Sequence, residues 1–318
     1  MKNKSVTIII PCYNAASWLS ATVESALAQT WPHKEIIIVN DGSTDTSLAI
    51  AQSFATRGVR VIDQKNRGAA SARNAGLRAA SGAFIQFLDA DDLLAPGKIS
   101  AQMERLSTAS EGAIASGPWG VFHDQPETAT FSPEPVWADF APLDWLVTAW
   151  SGAWMFPPLV WLTPRHVLDE AGPWDETLSL DDDGEYFCRV LLQASAVCFS
   201  DRAKSYYRRH AGPRISASRG LRAAQSSFTS NQQKEKLTLA REDSSRVRHA
   251  LACNWQRFVW EQISDAPALA RQALVRSRQL DASLPAPQGP RLYSFLAPLL
   301  GWRTARRLQL SAQRIFRQ

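Results

Sequence analysis

The sequence predicts an α/β fold with a mostly parallel central sheet flanked by helices, followed by a helical, basic C-terminal extension. Three observations carry this. Four short runs rich in β-branched and aromatic residues, VTIII at 6–10, EIIIV at 35–39, VRVID at 59–63 and AFIQFL at 83–88, are separated by amphipathic stretches of helical length. Each run is followed at once by a polar segment, and an open α/β sheet binds its ligands at the carboxyl ends of its strands. Charge also divides the chain: residues 1–200 hold 13 Lys and Arg against 23 Asp and Glu, a net of −10, whereas residues 201–318 hold 22 against 7, a net of +15.

In order, VTIII is the first strand, stopped at Pro11, and a helix follows from about Ser17 to Gln29. Strand EIIIV leads into NDGSTD, where Asp41-Gly42 makes a turn and Ser43 or Thr44 caps a helix from about Asp45 to Phe54. Strand VRVID, a helix from about Ala69 to Ala80 and strand AFIQFL complete the βαβ series around a buried sheet. From about Ala113 to Trp161 the chain is rich in Pro, Trp and Gly with poor periodicity, and it reads as loops and short strands. Its tryptophans read as core or interface packing in preference to a sugar platform. LVWL at 159–162 reads as a strand, Arg165 to Ala171 as a short helix, Asp181 to Glu185 as the start of a helix reaching Gln193, and AVCFS and SYYRR as strands. The first domain then spans 1–215. The Arg-rich remainder, 216–318, is expected to be helical from about Ser227 to Trp260 and from Pro267 to Leu280, and no internal repeat is present.

At 45% hydrophobic and 20% charged, the 318 residues have the composition of a globular chain, which excludes collagen-like and disordered classes. Cys12, Cys188, Cys198 and Cys253 form no C-x-x-C pair, which argues against a zinc ribbon or a disulfide framework and for a reducing compartment. The first apolar run is too short for a signal-peptide core. The longest later run, Leu292 to Trp302, is about half of the roughly 20 residues that a membrane-spanning helix needs.

The chemistry concentrates in the polar segments. Phe87-Leu88-Asp89-Ala90-Asp91-Asp92 plants an acidic cluster directly after a strand. On extended backbone, carboxylates at i and i+2 point the same way, so Asp89 and Asp91 face one divalent cation. Read structurally, the same residues are a turn in which Asp92 caps a helix starting near Ala95 or Pro96. Asp41 stands at the carboxyl edge of the sheet, placed to accept an N–H or O–H from a base or ribose. In NRGAASARNAG (66–76), Gly68 permits close backbone approach and Arg73 supplies a fork of donors suited to a diphosphate or a carboxylate. Neither polar segment matches G-x-G-x-x-G or G-x-x-x-x-G-K-[ST], which removes the main support for dinucleotide oxidoreductases and P-loop ATPases. Asp181, Asp182, Asp183 and Glu185 put four carboxylates at one helix start. Capping and the helix dipole, at about 1 kcal/mol per carboxylate, call for only one or two. Glu185 and Arg189, at i and i+4, are expected to pair on the helix surface.

Taken together and in this order, PCYN (11–14), NDGSTD (40–45), NRGAASARNAG (66–76) and FLDADD (87–92) resemble the nucleotide-sugar-dependent glycosyltransferases of family 2. The likeness continues more loosely through WDETLSLDDDGEYFCRVLL (174–192) to YYRRH (206–210). It implies a GT-A fold and an inverting transfer of a sugar from a nucleoside diphosphate, often UDP, to an acceptor hydroxyl. It further implies a nucleotide-binding part over about 1–112 and an acceptor and catalytic part over about 113–215. Pro11, Tyr13, Asn14 and Asp41 would hold base and ribose, with Asn66, Gly68, Arg73, Asp89 and Ala90 along the rest of the donor. Asp89 and Asp91 would carry Mn²⁺ or Mg²⁺ on the diphosphate, with His210 as a further metal or phosphate contact. The family places Glu-Asp shortly before an arginine; Asp182-Asp183 stand there before Arg189, which favours Asp183 as the base, with Asp182 the alternative. A carboxylate crowded by other acids and shielded from water is raised toward the range of a general base.

Two rival functions are weighed. A nucleotidyltransferase on a similar fold predicts an early Gly-rich loop with a basic residue, which residues 8–18 lack. A non-catalytic nucleotide-sugar or polyanion binder is opposed by the acidic clusters, which also make nucleic acid an unlikely partner. The expected protein is cytoplasmic, takes a nucleotide-sugar donor and a glycan or lipid-linked glycan acceptor, and serves surface polysaccharide or glycoconjugate synthesis. Residues 291–318 carry six arginines and no acid beside Leu292, Tyr293, Phe295, Leu296, Leu299, Leu300 and Trp302. That pattern suits the interface of an anionic membrane at the inner face of the cell, and Pro298 is expected to break or kink a continuous helix, giving a helix-loop-helix in place of a single rod. The alternative is that these apolar residues pack back onto the catalytic domain or form a homodimer contact.

Overall fold

The computed structural model describes residues 4–154, 156–210, 219–287 and 291–315. The chain divides into two compact units, one formed by 1–146 with 155–213 and the other by 147–154 with 214–318. In chain order the first holds β1 (Val6–Cys12), α1 (Leu19–Leu27), β2 (Lys34–Asp41), α2 (Ser47–Ser53), β3 (Val59–Gln64), α3 (Ala69–Ala79), β4 (Phe84–Phe87), β5 (Leu93–Leu94), α4 (Lys98–Ser107), β6 (Ile114–Ser116), β7 (Trp119–Phe122) and the start of α5 (Pro142–Ser151). It continues with β8 (Thr163–Pro164), α6 (Arg165–Ala171), α7 (Asp182–Gln193), β9 (Val197–Phe199) and β10 (Ser205–Arg208).

The main sheet has the order β3-β2-β1-β4-β8. The first four strands are parallel and β8 is antiparallel to β4. The near-continuous isoleucine runs follow from burial on both faces. Ile8, Ile10, Ile36 and Ile38 pack with Leu19, Val23, Ile99 and Met103 on one side, while Ile37 and Val39 pack with Ala72 and Ala75 of α3 on the other. Because Cys12 lies opposite Asn40 and Asn40 opposite Asp63, the parallel register brings the polar segments after β1, β2 and β3 to one edge. Chain direction across the sheet reverses at β1, so the crevice for a ligand opens between the ends of β1 and β4. A smaller sheet, β5-β10-β7, returns the chain to this edge, with Tyr206 opposite Leu93.

Several expectations change. The Pro- and Trp-rich stretch contains α5, whose start is favoured by Pro142 at its first position and Asp144 in its first turn. LVWL is not a strand: Pro158–Val160 form a 3₁₀ turn, and extended pairing begins only at Leu162, which meets Ala115. Pro157 and Pro158 lack the N–H groups that a strand would use there.

The second unit carries α8 (Leu221–Arg241), α9 (Ser245–Gln262), α10 (Pro267–Leu280), α11 (Arg291–Leu300) and α12 (Trp302–Ile315). The single helix expected over 227–260 is two helices, because the Ser244 hydroxyl accepts the Val247 N–H and starts α9 afresh. Phe228, Trp255 and Phe258 pack together between α8 and α9. The tail is a helix-loop-helix, but its break is not at Pro298, which sits inside α11; the reversal falls at Gly301, whose φ of +75° favours glycine. The tail packs partly onto its own unit: the Tyr293 ring lies 4.8 Å from that of Trp260, and the Arg306 guanidinium 4.0 Å from the same indole. Leu299, Leu300 and Leu308 stay exposed. Among the described residues no helix is long and apolar enough to cross a membrane.

Candidate active site

At the end of β1, Tyr13 stands half exposed and Asn14 adopts a left-handed φ of 50°. The Asn14 side-chain oxygen accepts the Thr44 N–H at 2.8 Å, and the Ser43 hydroxyl accepts the Asn14 N–H at 3.1 Å, which stitches the loops after β1 and β2 together. Asp41 is 2% exposed and its carboxylate accepts three hydrogen bonds: from Gln64 Nε2 at 2.8 Å, the Arg67 N–H at 2.9 Å and the Gly68 N–H at 2.8 Å. Its observed partners are therefore the loop that carries Asn66, Arg67 and Gly68. Gly68 is required for its φ of +94° and not for a close approach by protein, since no other group comes within 4 Å of where a Cβ would stand.

After β4 the backbone turns, with the Asp92 N–H donating to the Asp89 carbonyl at 3.1 Å. That turn defeats the expectation that Asp89 and Asp91 face one way. Asp89 accepts from Arg73 Nη2 at 2.8 Å, whereas Asp91 Oδ2 lies 3.1 Å from His210 Nε2. Asp92 is not a helix cap: its Oδ1 accepts the Arg208 N–H at 2.8 Å, and its buried Oδ2 has no hydrogen-bond partner among the described residues. Burial, joined by the charge of Asp89, raises the Asp91 carboxyl, and burial with the charges of Asp91 and Asp89 raises Asp92 well above the usual range. Arg208 also donates from Nε to the Asp91 carbonyl at 2.8 Å, and its guanidinium lies between the rings of Trp18 and Phe122 at 4.6 and 4.3 Å. His210 stacks on Trp18, ring centres 5.5 Å apart.

Arg73 joins the two acidic clusters. Its Nη1 donates to Asp182 Oδ2 at 3.0 Å, opposite the bond to Asp89, and its guanidinium lies 4.5 Å from the Trp174 ring centre. Burial alone would lower its pKa, but Asp89, Asp182 and Asp183 raise it, so it stays charged. Burial raises the Asp182 carboxyl, partly offset by Arg73. Asp183 accepts the Gly184 N–H at 2.8 Å and remains partly open to solvent; desolvation and the charges of Asp182 and Asp181 push its carboxyl up to about 7. Asp181 itself takes a left-handed φ of 62°, and a Cβ on Gly184 would lie 2.2 Å from its carboxylate. Glu185 and Arg189 do pair, at 2.6 and 2.8 Å, but not on the surface: Glu185 is buried and Arg189 also donates to the carbonyls of Ala171 and Pro173, fixing the loop before α7.

Sequence reasoning passed over Asn74, Trp174, Glu176, Trp18 and Arg208. Asn74 exchanges both side-chain hydrogen bonds with the Trp174 backbone, at 2.9 and 2.8 Å, and Glu176 bonds Asn74 and Arg67 at 3.0 and 2.8 Å. For all but Trp18, which lies outside the quoted motifs, the signal was membership of those motifs, where each is an ordinary polar or aromatic residue until the fold pairs them.

The donor set suits a hard divalent cation in part. Asp91 and His210 converge, and the crowded carboxylates of Asp89, Asp91 and Asp92 want positive charge. Among the described residues, however, no group of three or more His, Cys, Asp or Glu side chains is arranged to hold a metal ion, because Asp89 is engaged by Arg73.

Residues 7–141 match the model of "Glycosyl transferase family 2". The "Uncharacterized glycosyltransferase YibD" of Escherichia coli is 46% identical over 93 residues, 29% of this chain and 27% of that protein. "Glycosyltransferase GlyA" of Streptococcus pneumoniae is 42% identical over 89 residues, 27% of this chain and 13% of that protein. The chain thus spans less than a third of the length of these curated relatives. Among solved structures, S. aureus TarS 1–349 in complex with UDP-GlcNAc aligns over 97% of this chain and 92% of its own, with a TM-score of 0.69 at 16% identity. The mannosyltransferase PcManGT from Pyrobaculum calidifontis, in complex with GDP-Man and Mn²⁺, aligns over 96% and 87% with a TM-score of 0.52 at 18% identity. The segment similar to glycosyl transferase family 2, residues 7–141, thus carries the crevice between β1 and β4, and the chain has the GT-A fold that it shares with TarS.

Proposed function

We propose that this protein is a metal-dependent, inverting glycosyltransferase that moves a sugar from a nucleoside-diphosphate donor, UDP in particular, to an acceptor hydroxyl. The observation that carries the reading is Asp183. It is an ionisable carboxyl raised to about 7, beside a guanidinium that ties its helix to the acidic turn after β4. Asp183 takes the proton from the acceptor hydroxyl as the oxygen attacks the anomeric carbon, and the diphosphate leaves on the opposite face. Asp182 is held to Arg73 and orients the start of α7. Pro11, Tyr13, Asn14 and the loop pinned by Asp41, with Asn66 and Gly68, receive the nucleotide, and Ala90 lies in the turn beside it. Asp91 and His210 would hold Mn²⁺ or Mg²⁺, which would supply neutralising charge for the departing diphosphate. Asp89 joins that contact only by loosening from Arg73.

The UDP preference is supported by the TarS complex with UDP-GlcNAc, and the metal by the Mn²⁺ in the PcManGT complex. The acceptor is read as a glycan or lipid-linked glycan of a surface polysaccharide pathway, reached from the cytoplasmic face. The exposed Leu299, Leu300 and Leu308 beside Arg303 and Arg307 support docking of the tail on an anionic membrane. The test is nucleotide release from a panel of UDP- and GDP-sugars, with Mn²⁺ and with a chelator. Release from one donor that stops on chelation is expected; no release and no thermal stabilisation by any donor would overturn the reading.

A further inference from the structure

The Trp-rich stretch holds a second polar feature, separate from the acidic clusters. Ser116 at the end of β6, Trp119 on β7, Glu134, Trp137, Trp145 on α5 and Phe156 line a pocket of about 10 Å³, room for one water-sized group. Ser116 is 5% exposed. Its hydroxyl and Glu134 Oε2 are both buried and, among the described residues, have no hydrogen-bond partner. Burial pushes the Glu134 carboxyl up to about 7; a hydrogen bond with Trp119 opposes this, and no cationic side chain contributes. Glu134 is the one titratable residue among those lining the pocket.

Glu134 is half-buried and bonded by Trp119, but its Oε2 is buried without a partner among the described residues, and the cost of ionising such a carboxyl falls most when a positive charge enters. Only acceptors wait for a partner there once Glu134 is ionised. A primary ammonium group has the size of water, carries three donors and no acceptor, and brings the missing charge. A water or hydroxyl fills the same space and leaves the charge uncompensated. An anion is repelled, and a whole sugar ring does not fit.

We propose that this pocket binds the primary ammonium group of a small ligand, such as an amino alcohol or an amino sugar, with Glu134 as counter-ion and the Ser116 hydroxyl as second acceptor. The pocket is read without reference to the donor site, so this proposal and the transfer reading fail separately.

The probe is ethanolamine, with ethylene glycol as its neutral isostere, titrated into the full chain at pH 8 while tryptophan fluorescence is followed. A saturable response about tenfold tighter for ethanolamine is expected. It should weaken roughly fivefold to tenfold at pH 6, where Glu134 takes up a proton while the amine keeps its charge. Glu134→Gln should abolish the preference, and Ser116→Ala should reduce it. Equal responses to the two probes, no response to either, or a preference unchanged between pH 8 and pH 6 would each overturn the proposal. The pH comparison uses the unaltered protein, so it holds even where a variant fails to fold.

Discussion

Asp89 and Asp182 share one guanidinium: Arg73 donates to the first at 2.8 Å and to the second at 3.0 Å. Its remaining buried nitrogen, Nε, makes no hydrogen bond among the described residues. The contact therefore rests on two charge-assisted bonds and the Trp174 ring. Replacing Arg73 with Met leaves carboxylates from two elements crowded together without a counter-charge. The expected loss is about 3–5 kcal/mol in denaturant unfolding, with Arg73→Lys between the two because a point charge cannot serve both partners in the same geometry. A loss under about 1 kcal/mol for Met would show that the bridge does not hold the clusters together.

Asp183→Asn should lower turnover by roughly 10² to 10⁴ while UDP-sugar binding persists, the signature of a lost base. If Asp182→Asn is the inactive variant and Asp183→Asn is not, the two aspartates exchange roles.

The raised Asp183 carboxyl sets two pH dependences. As a base it works only when ionised, so kcat/KM should climb about tenfold per pH unit below 7 and level off above it. As an acid whose folded pKa exceeds its unfolded value, it binds more protons folded than unfolded between about pH 4 and 7, so its contribution to stability falls as pH rises through that window. The Tm of Asp183→Asn should therefore exceed that of the unaltered protein by more at pH 8 than at pH 5. A constant difference would assign Asp183 an ordinary carboxyl.

Mn²⁺ should raise the Tm of the protein, and Asp91→Asn should remove most of that rise while the metal-free Tm stays within a few degrees. His210→Gln should weaken it less, as a change at one of two converging donors does. An undiminished Mn²⁺ shift in Asp91→Asn would place the ion elsewhere.

For the tail, sedimentation with vesicles of anionic lipid should carry down the full chain, and Leu299→Glu with Leu300→Glu should prevent it, with neutral vesicles inert in both cases. Equal recovery in the pellet for both proteins would leave these leucines to contacts between copies of the chain.

Much of the first unit was legible because its signals are local. Two-faced burial writes itself as isoleucine runs, and Asn14 and Asp89 each stand two residues past a strand while Asp41 ends one. What the sequence hid was partnership. FLDADD allows a turn, but nothing in it says that the turn sends Asp89 to Arg73 and Asp91 to His210, since both partners arrive from other elements. Likewise Glu185 and Arg189 look like a surface pair at i and i+4 until the loop at 171–173 covers them. Helix ends failed where one side chain decided them, as Ser244 does for α9, and Pro298 misled because α11 absorbs it.

The turn at 89–92 is completed by a strand far downstream: the Arg208 N–H that holds Asp92 lies 116 residues later in the chain. Synthesis delivers β1 to β4 first, so on the ribosome the acidic turn waits, its buried carboxylate unanswered, until β10 has emerged. The sheet that would receive a nucleotide is thus available early, while the residues that shape the charge beside it arrive near the end of the first unit. A nascent chain ending near residue 112 has the strands of the crevice but lacks both Arg208 and His210, the partners of Asp92 and Asp91.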